Sequence, residues 1–255
     1  MIATRARTEY MTAEFIFDRS EERQRLDQFL VKRRPFLIYG PTGVGKTLLL
    51  RTVLQKFRSI LYCENSTTIN AVFRSLAASL LRSGSPRARS AFRNEDAIRA
   101  KSAVSLKGIV MDALREGEYS IVLDHLNRPS YSFASAVREI MGWGSTPLSV
   151  VARSSHMEDT GFLQSSYGDR SQKCEIRNFE DSVAEQFARE VVKRTGLMAS
   201  NLGEFLEKVL EFSQGNPGVI VALIEMANDP KYRLDEHIKV TPLYIDFRMN
   251  RNVAI

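Results

Sequence analysis

The sequence predicts an α/β fold: a parallel β-sheet flanked by helices, followed by a small all-helical region. Three observations predict it. From Pro35 to Ile176, short apolar runs alternate with segments of helical period, the order that a parallel sheet with crossover helices requires. The first apolar run passes directly into a glycine-rich turn and then into an amphipathic helix. Beyond Ile176 the pattern is helical only, in three periodic sets: Val183/Phe187/Val191, Leu202/Phe205/Leu206/Val209 and Val219/Ile220/Leu223/Ile224.

Taken in order, residues 1–13 read as a flexible basic tail, followed by Phe15-Ile16-Phe17 and a charged helix from Ser20 to Val31. Pro35 to Tyr39 forms a short buried strand that ends at the glycines, after which Leu49, Leu50, Val53, Leu54 and Phe57 mark a helix face. A second strand, Ser59 to Cys63, precedes a helix with apolar face Ile69, Val72, Phe73, Leu76 and Leu80, capped by Asn65, Ser66 or Thr67. Residues 82–101 carry Arg82, Arg87, Arg89, Arg93, Arg99 and Lys101 around Gly84 and Pro86, and read as an exposed basic excursion. A helix over Val104 to Leu114 leads to the strand Ser120 to Asp124, and a helix over Phe133 to Met141 leads to the strand Leu148 to Ala152. A last strand lies near Lys173 to Ile176. The third C-terminal helix starts at Gly215-Asn216-Pro217-Gly218, where Asn216 can cap and Pro217 can take the first helical position. The expected organisation is a core over 14–177, a helical lid over 178–235 and a tail over 236–255.

Composition bounds the function classes. With 44% apolar and 26% charged residues in 255, the chain is an ordinary globular protein, which excludes disordered and fibrous classes. No apolar run approaches the roughly 18 residues that cross a bilayer, so no membrane role and a cytoplasmic location are expected. The two cysteines, Cys63 and Cys174, sit inside strand-like runs and no Cys/His pair has metal-ligand spacing, so both are read as reduced core thiols. The 36 Lys and Arg against 30 Asp and Glu give a net charge of +6, which suits either a polyanion partner such as nucleic acid or an ordinary basic surface.

The chemistry lies in Gly40-Pro-Thr-Gly-Val-Gly45-Lys46-Thr47, which matches G-x-x-x-x-G-K-[ST]. In that pattern glycines let backbone N–H groups turn toward phosphates, the lysine reaches the β- and γ-oxygens, and the hydroxyl coordinates Mg²⁺. The strand before it and the helix after it are the context the motif needs. The expected cofactors are therefore ATP and Mg²⁺, bound by Gly40, Pro41, Thr42, Gly43, Val44, Gly45, Lys46, Thr47 and Leu48. Such a site also needs a carboxylate at a neighbouring strand end to hold the metal's waters, and Ile121-Val-Leu-Asp124 supplies Asp124.

The order Phe17-Asp-Arg-Ser-Glu-Glu22, glycine loop, Leu123-Asp-His-Leu126, Val150-Val-Ala-Arg-Ser-Ser155 and Gly215-Asn-Pro-Gly218 resembles AAA+ and STAND ATPases, especially the archaeal-ATPase and origin-recognition-type groups. The resemblance implies a P-loop NTPase with a RecA-like (ASCE-type) sheet, in which the strand after Asp124 lies between it and the glycine-loop strand. It implies a γ-phosphate sensor at Arg153, an adenine-covering G-x-P motif at Pro217, and an arginine finger at Arg170 that would act only in a homo-oligomer. Many relatives place Glu directly after the strand-end Asp to orient water; here that position is His125. Glu64, at the end of the second strand, resembles the catalytic glutamate position of RecA-like ATPases, so Glu64 and His125 stand as equal candidates for orienting water.

Three functions compete. The first is an AAA+/STAND-like ATPase that couples ATP hydrolysis to conformational change on DNA or a nucleoprotein complex. The second is a switch or scaffold that binds ATP and hardly hydrolyses it. The third is a small-molecule kinase using the same loop, against which the Gly215–Gly218 lid motif and the Arg153 strand argue.

Overall fold

The computed structural model describes residues 18–144 and 146–252; the expected tail over 1–13 and Phe15 to Phe17 lie outside them. Five short strands carry the apolar runs: β1 (Leu37–Tyr39), β2 (Ile60–Cys63), β3 (Ser120–Leu126), β4 (Leu148–Ala152) and β5 (Lys173–Glu175). They form one sheet in the order β2-β3-β4-β1-β5, every pairing parallel. β4 thus lies between β3 and the glycine-loop strand β1, the position that the family resemblance implies. Strands buried on both faces need continuous apolar sequence, and β4 is buried at every position.

The helices that follow each strand form as their periodicity requires. α1 (Ser20–Val31) buries Leu26, Phe29 and Leu30, and the Phe29 ring stacks on Phe36 at 5.3 Å between centroids. α2 (Lys46–Leu54) opens directly from the glycine loop. α3 (Ile69–Ser83) buries the predicted face, but its cap is Thr68, whose hydroxyl accepts from the Ala71 N–H at 3.1 Å.

The basic excursion is exposed at its cations, as read, and it is also folded. Its residues fold into α4 (Pro86–Ala91), capped by Ser85, and α5 (Glu95–Arg99), capped by Asn94. Ala88, Phe92 and Ile98 anchor them in the main core. Arginines spaced between few apolar residues hid this anchor in the sequence. Arg82, Arg87 and Arg99 are paired with Glu95, Asp112 and Asp96 at 2.6, 2.8 and 3.4 Å. α6 (Ala103–Glu116) packs on α3, and α7 (Tyr131–Gly144) leads to β4.

The chain divides into two compact units. The first runs through Gly40 and from Lys46 to Ile176; the second takes Pro41–Gly45 together with the chain from Arg177 onward. In the second unit, α8 (Asp181–Thr195), α9 (Leu202–Ser213) and α10 (Pro217–Met226) pack together through Phe187, Phe205, Val209, Ile220 and Ile224. The segment 236–255, read from sequence as a tail, contributes β7 (His237–Ile238), paired with β6 (Arg233–Leu234), and α11 (Val240–Asn252). Leu243 of α11 is buried, and Tyr244 stacks on Phe212 of α9 at 3.7 Å. Apolar spacing in 236–255 is sparse, which is why the helix was not legible.

Both cysteines are free and buried. Burial pushes the Cys63 thiol up to about 12 and the Cys174 thiol up to about 11. Among the described residues, no helix is long and apolar enough to cross a membrane.

Candidate nucleotide site

The glycine loop adopts the conformation its sequence permits. Gly43 and Gly45 have φ of +86° and +97°, where a side chain is strained, so these positions require glycine. The loop then enters α2, whose first residues are Lys46 and Thr47.

In the first unit, Lys46 Nζ donates to the Gly40 carbonyl at 2.6 Å. Burial is the main influence on this ammonium and lowers its pKa to about 8. Asp124 opposes the shift, Arg153 adds to it and Asp159 opposes it more weakly.

Thr47 Oγ1 donates to Asp124 Oδ2 at 2.8 Å. Asp124 is 1% exposed, and a carboxylate so deep must be hydrogen-bonded. Three donors converge on it: the Thr47 hydroxyl and the Tyr62 hydroxyl on Oδ2, the latter at 2.6 Å, and the His125 N–H on Oδ1 at 2.7 Å. A strand irregularity aims it. Between β3 and β4 the register slips by one residue from Leu123 to Leu126, and His125 takes a φ of +56°. The extra residue turns Asp124 inward and His125 outward, as a bulge does beside a functional site.

Tyr62 was missed by sequence reasoning. Burial first, then the charge of Asp124, push its phenol well above the usual tyrosine range, so it stays a donor. Arg51, one turn along α2 from Thr47, sits over the Tyr62 ring at 5.8 Å and pairs with Glu64 at 2.6 Å. Alternation in β2 could have pointed to Tyr62, because a tyrosine one residue before a strand-end cysteine is poised to reach the next strand's end.

The remaining predicted residues divide. Arg153 follows β4 directly and is exposed, and its charge is felt at Lys46. Glu64 is exposed and tied to Arg51. His125 is exposed, with Nε2 3.9 Å from Asp124 Oδ2. Arg170 starts the turn before β5, where Lys173 pairs with Leu37. That is the end of the sheet opposite the glycine loop, so Arg170 is not brought to the cluster of Lys46, Thr47 and Asp124. Leu48 lies within the first turn of α2.

Within the second unit, the crest Pro41–Gly45 is held by the Gly215–Gly218 turn. Asn216 Nδ2 donates to the Thr42 carbonyl at 3.0 Å, and the Gly218 N–H donates to the Gly43 carbonyl at 2.9 Å. Asn216 also caps α10, its Oδ1 accepting from the Val219 N–H at 3.2 Å, and Pro217 is buried at the first helical position.

No protein-family model matches the sequence, and no curated protein matches it. Solved structures match by shape. The Orc1 protein of Aeropyrum pernix, in a complex with DNA, aligns with a TM-score of 0.66 at 16% identity, over 93% of this chain and 67% of that one. A Walker-type ATPase of Pyrococcus abyssi aligns with a TM-score of 0.58 at 18% identity, over 94% of this chain and 77% of that one. The fold is that of a P-loop NTPase. Cdc6p of Pyrobaculum aerophilum shares it with a TM-score of 0.57 at 13% identity, over 82% of this chain and 61% of that one. At such identities the likeness speaks for the fold alone.

Proposed function

We propose that this P-loop chain is an AAA+-type ATPase that couples ATP binding and hydrolysis to conformational change, acting on DNA or a nucleoprotein complex. The observation that carries the reading is the meeting of Thr47 and Asp124 at 2.8 Å beside the half-buried Lys46. Thr47 and Asp124 are far apart in sequence, and a nucleotide site needs a hydroxyl, a buried carboxylate and a lysine together at the end of a glycine loop.

The donor set fits Mg²⁺. A hydroxyl and a carboxylate oxygen are hard ligands, and an ion that keeps several waters asks for no more protein ligands than these. Thr47 would hold it directly and Asp124 through water; the bound ion would neutralise charge on the β- and γ-oxygens. The cationic partners from the chain would be Lys46 and Arg153.

Action on DNA rests on the likeness to an Orc1 protein in a DNA complex and on the net charge of +6. The ion pairs of Arg82, Arg87 and Arg99 direct attention away from the segment 82–101 as the contact. A homo-oligomer, in which Arg170 would reach a neighbour's nucleotide, is the arrangement that would give that residue a role.

A switch that holds ATP with little turnover is the second reading. Its support is specific: Glu64 is engaged by Arg51 at 2.6 Å, and His125 occupies the place of a glutamate. Together they would leave the attacking water without a free carboxylate to orient it.

ATP turnover with and without DNA tests both, with Lys46→Ala as the variant that should lose phosphate binding. Turnover stimulated by DNA, lost in Lys46→Ala and in Glu64→Gln or His125→Ala, is the expected result. Tight ATP binding with no turnover in either condition would replace the motor reading with the switch.

A further inference from the structure

We infer that the Gly215–Gly218 turn is a brace on the phosphate loop: Asn216 and Gly218 set the direction of the loop N–H groups that receive phosphate. The inference rests on the nucleotide reading above and assigns Asn216 and Gly218 as positioning residues, a role different from covering adenine.

The argument follows from peptide geometry. A trans peptide is planar, with its C=O and the next residue's N–H pointing in opposite directions. Fixing a carbonyl therefore fixes the following N–H. The Thr42 carbonyl is held by Asn216 Nδ2 at 3.0 Å, which orients the Gly43 N–H. The Gly43 carbonyl is held by the Gly218 N–H at 2.9 Å, which orients the Val44 N–H. Both carbonyls are held on the face turned away from these N–H groups. The Val44 N–H itself makes only a 3.4 Å bond to the Pro41 carbonyl, a long contact that a phosphate oxygen can replace.

Each group of the brace is fully engaged. The side-chain nitrogen of Asn216 meets two acceptors, Thr42 O and Asn178 Oδ1 at 3.3 Å, while its oxygen meets the Val219 N–H. Backbone partners on both sides leave one orientation of the amide. Asn216 is 5% exposed, so these bonds are not shared with bulk water. Asn178 passes the restraint on, donating to the Gln214 carbonyl at 3.0 Å, and the Phe179 N–H donates to the Gly215 carbonyl at 2.9 Å.

The approach is as close as backbone allows. A Cβ on Gly218 would fall 2.8 Å from the Gly43 oxygen and 2.9 Å from its Cα. One on Gly43 would fall 2.8 Å from Asn216 Oδ1. Two glycines face each other here because no side chain fits between the turn and the loop. Loop and turn therefore act as one body, and whatever moves the turn re-aims the phosphate-binding N–H groups.

The test compares ADP with inorganic tripolyphosphate, which has the phosphates and no adenosine. Asn216→Ser keeps a capping hydroxyl at the start of α10 but is too short to hold Thr42. It should weaken ADP and tripolyphosphate alike, by about fivefold for one lost neutral hydrogen bond. Gly218→Ala should weaken both further, since its Cβ would meet the Gly43 backbone and push the loop off the turn. A variant that loses ADP alone, or neither ligand, would overturn the brace, as would a wild type that binds ADP but not tripolyphosphate. A folded wild type that binds neither ligand would instead overturn the nucleotide reading, and the brace with it.

Discussion

Replacing Tyr62 with Phe removes one oxygen and leaves the ring, and its consequence can be worked from the structure. The hydroxyl donates at 2.6 Å to Asp124 Oδ2, in a carboxylate 1% exposed. A hydrogen bond to a charged acceptor contributes about 1.5–3 kcal/mol net. Oδ2 keeps the Thr47 hydroxyl and Oδ1 keeps the His125 N–H, so no lone carboxylate is left behind and the loss belongs at the low end. The expected destabilisation is about 1.5 kcal/mol, or a fall of roughly 3–6 °C in melting temperature for a chain of this size. The assay is thermal unfolding of wild type, Tyr62→Phe, Asp124→Ala and the double variant. In the Asp124→Ala background the hydroxyl has no acceptor, so Tyr62→Phe should cost little there and the coupling energy should be about 1.5 kcal/mol. A coupling within about 0.5 kcal/mol of zero, the scatter of independent sites, would show that Tyr62 and Asp124 do not act together.

Further outcomes follow from other contacts. Ser149 is buried within β4, and its hydroxyl accepts from the Phe36 N–H at 3.2 Å; Ser149→Ala should cost about 1–2 kcal/mol in denaturant unfolding, because a buried amide loses its acceptor. At pH 8, a thiol reagent should label neither Cys63 nor Cys174 until the protein unfolds, since burial holds both thiols neutral; fast labelling of the native protein would contradict the packing. The sign of the accompanying pH effect is set by the same groups. Between the usual 9.0 and the raised value of about 12 for Cys63, the folded chain keeps a proton that the unfolded chain releases, so this contribution to stability is present below pH 9 and fades as pH rises toward 12. If DNA binds, affinity should fall steeply with salt, and changing Arg82, Arg87 and Arg99 to Ala should leave it nearly intact; a large loss would return the segment 82–101 to the interface.

The sequence by itself determined the features that are local along the chain. Gly40 to Thr47 is contiguous, and its turn between strand and helix depends on backbone freedom at Gly43 and Gly45, so that turn was legible at once. The parallel sheet was equally legible, because strands buried on both faces must be apolar throughout, and Asp124 stood out as the acid ending such a run. The boundaries of α1 and the cap and first residue of α10 were also local matters of caps and periodicity. What the tertiary structure alone decided are the meetings of distant residues. Tyr62 and Asp124 are 62 residues apart, and Asn216 and Thr42 are 174 apart. Neither pair leaves a periodic trace, because a hydrogen bond across strands or between a turn and a loop constrains only two side chains. The basic segment shows the same limit from the other side: a sequence displays charges one by one, while only the fold supplies the carboxylates of Glu95, Asp112 and Asp96 that pair with them.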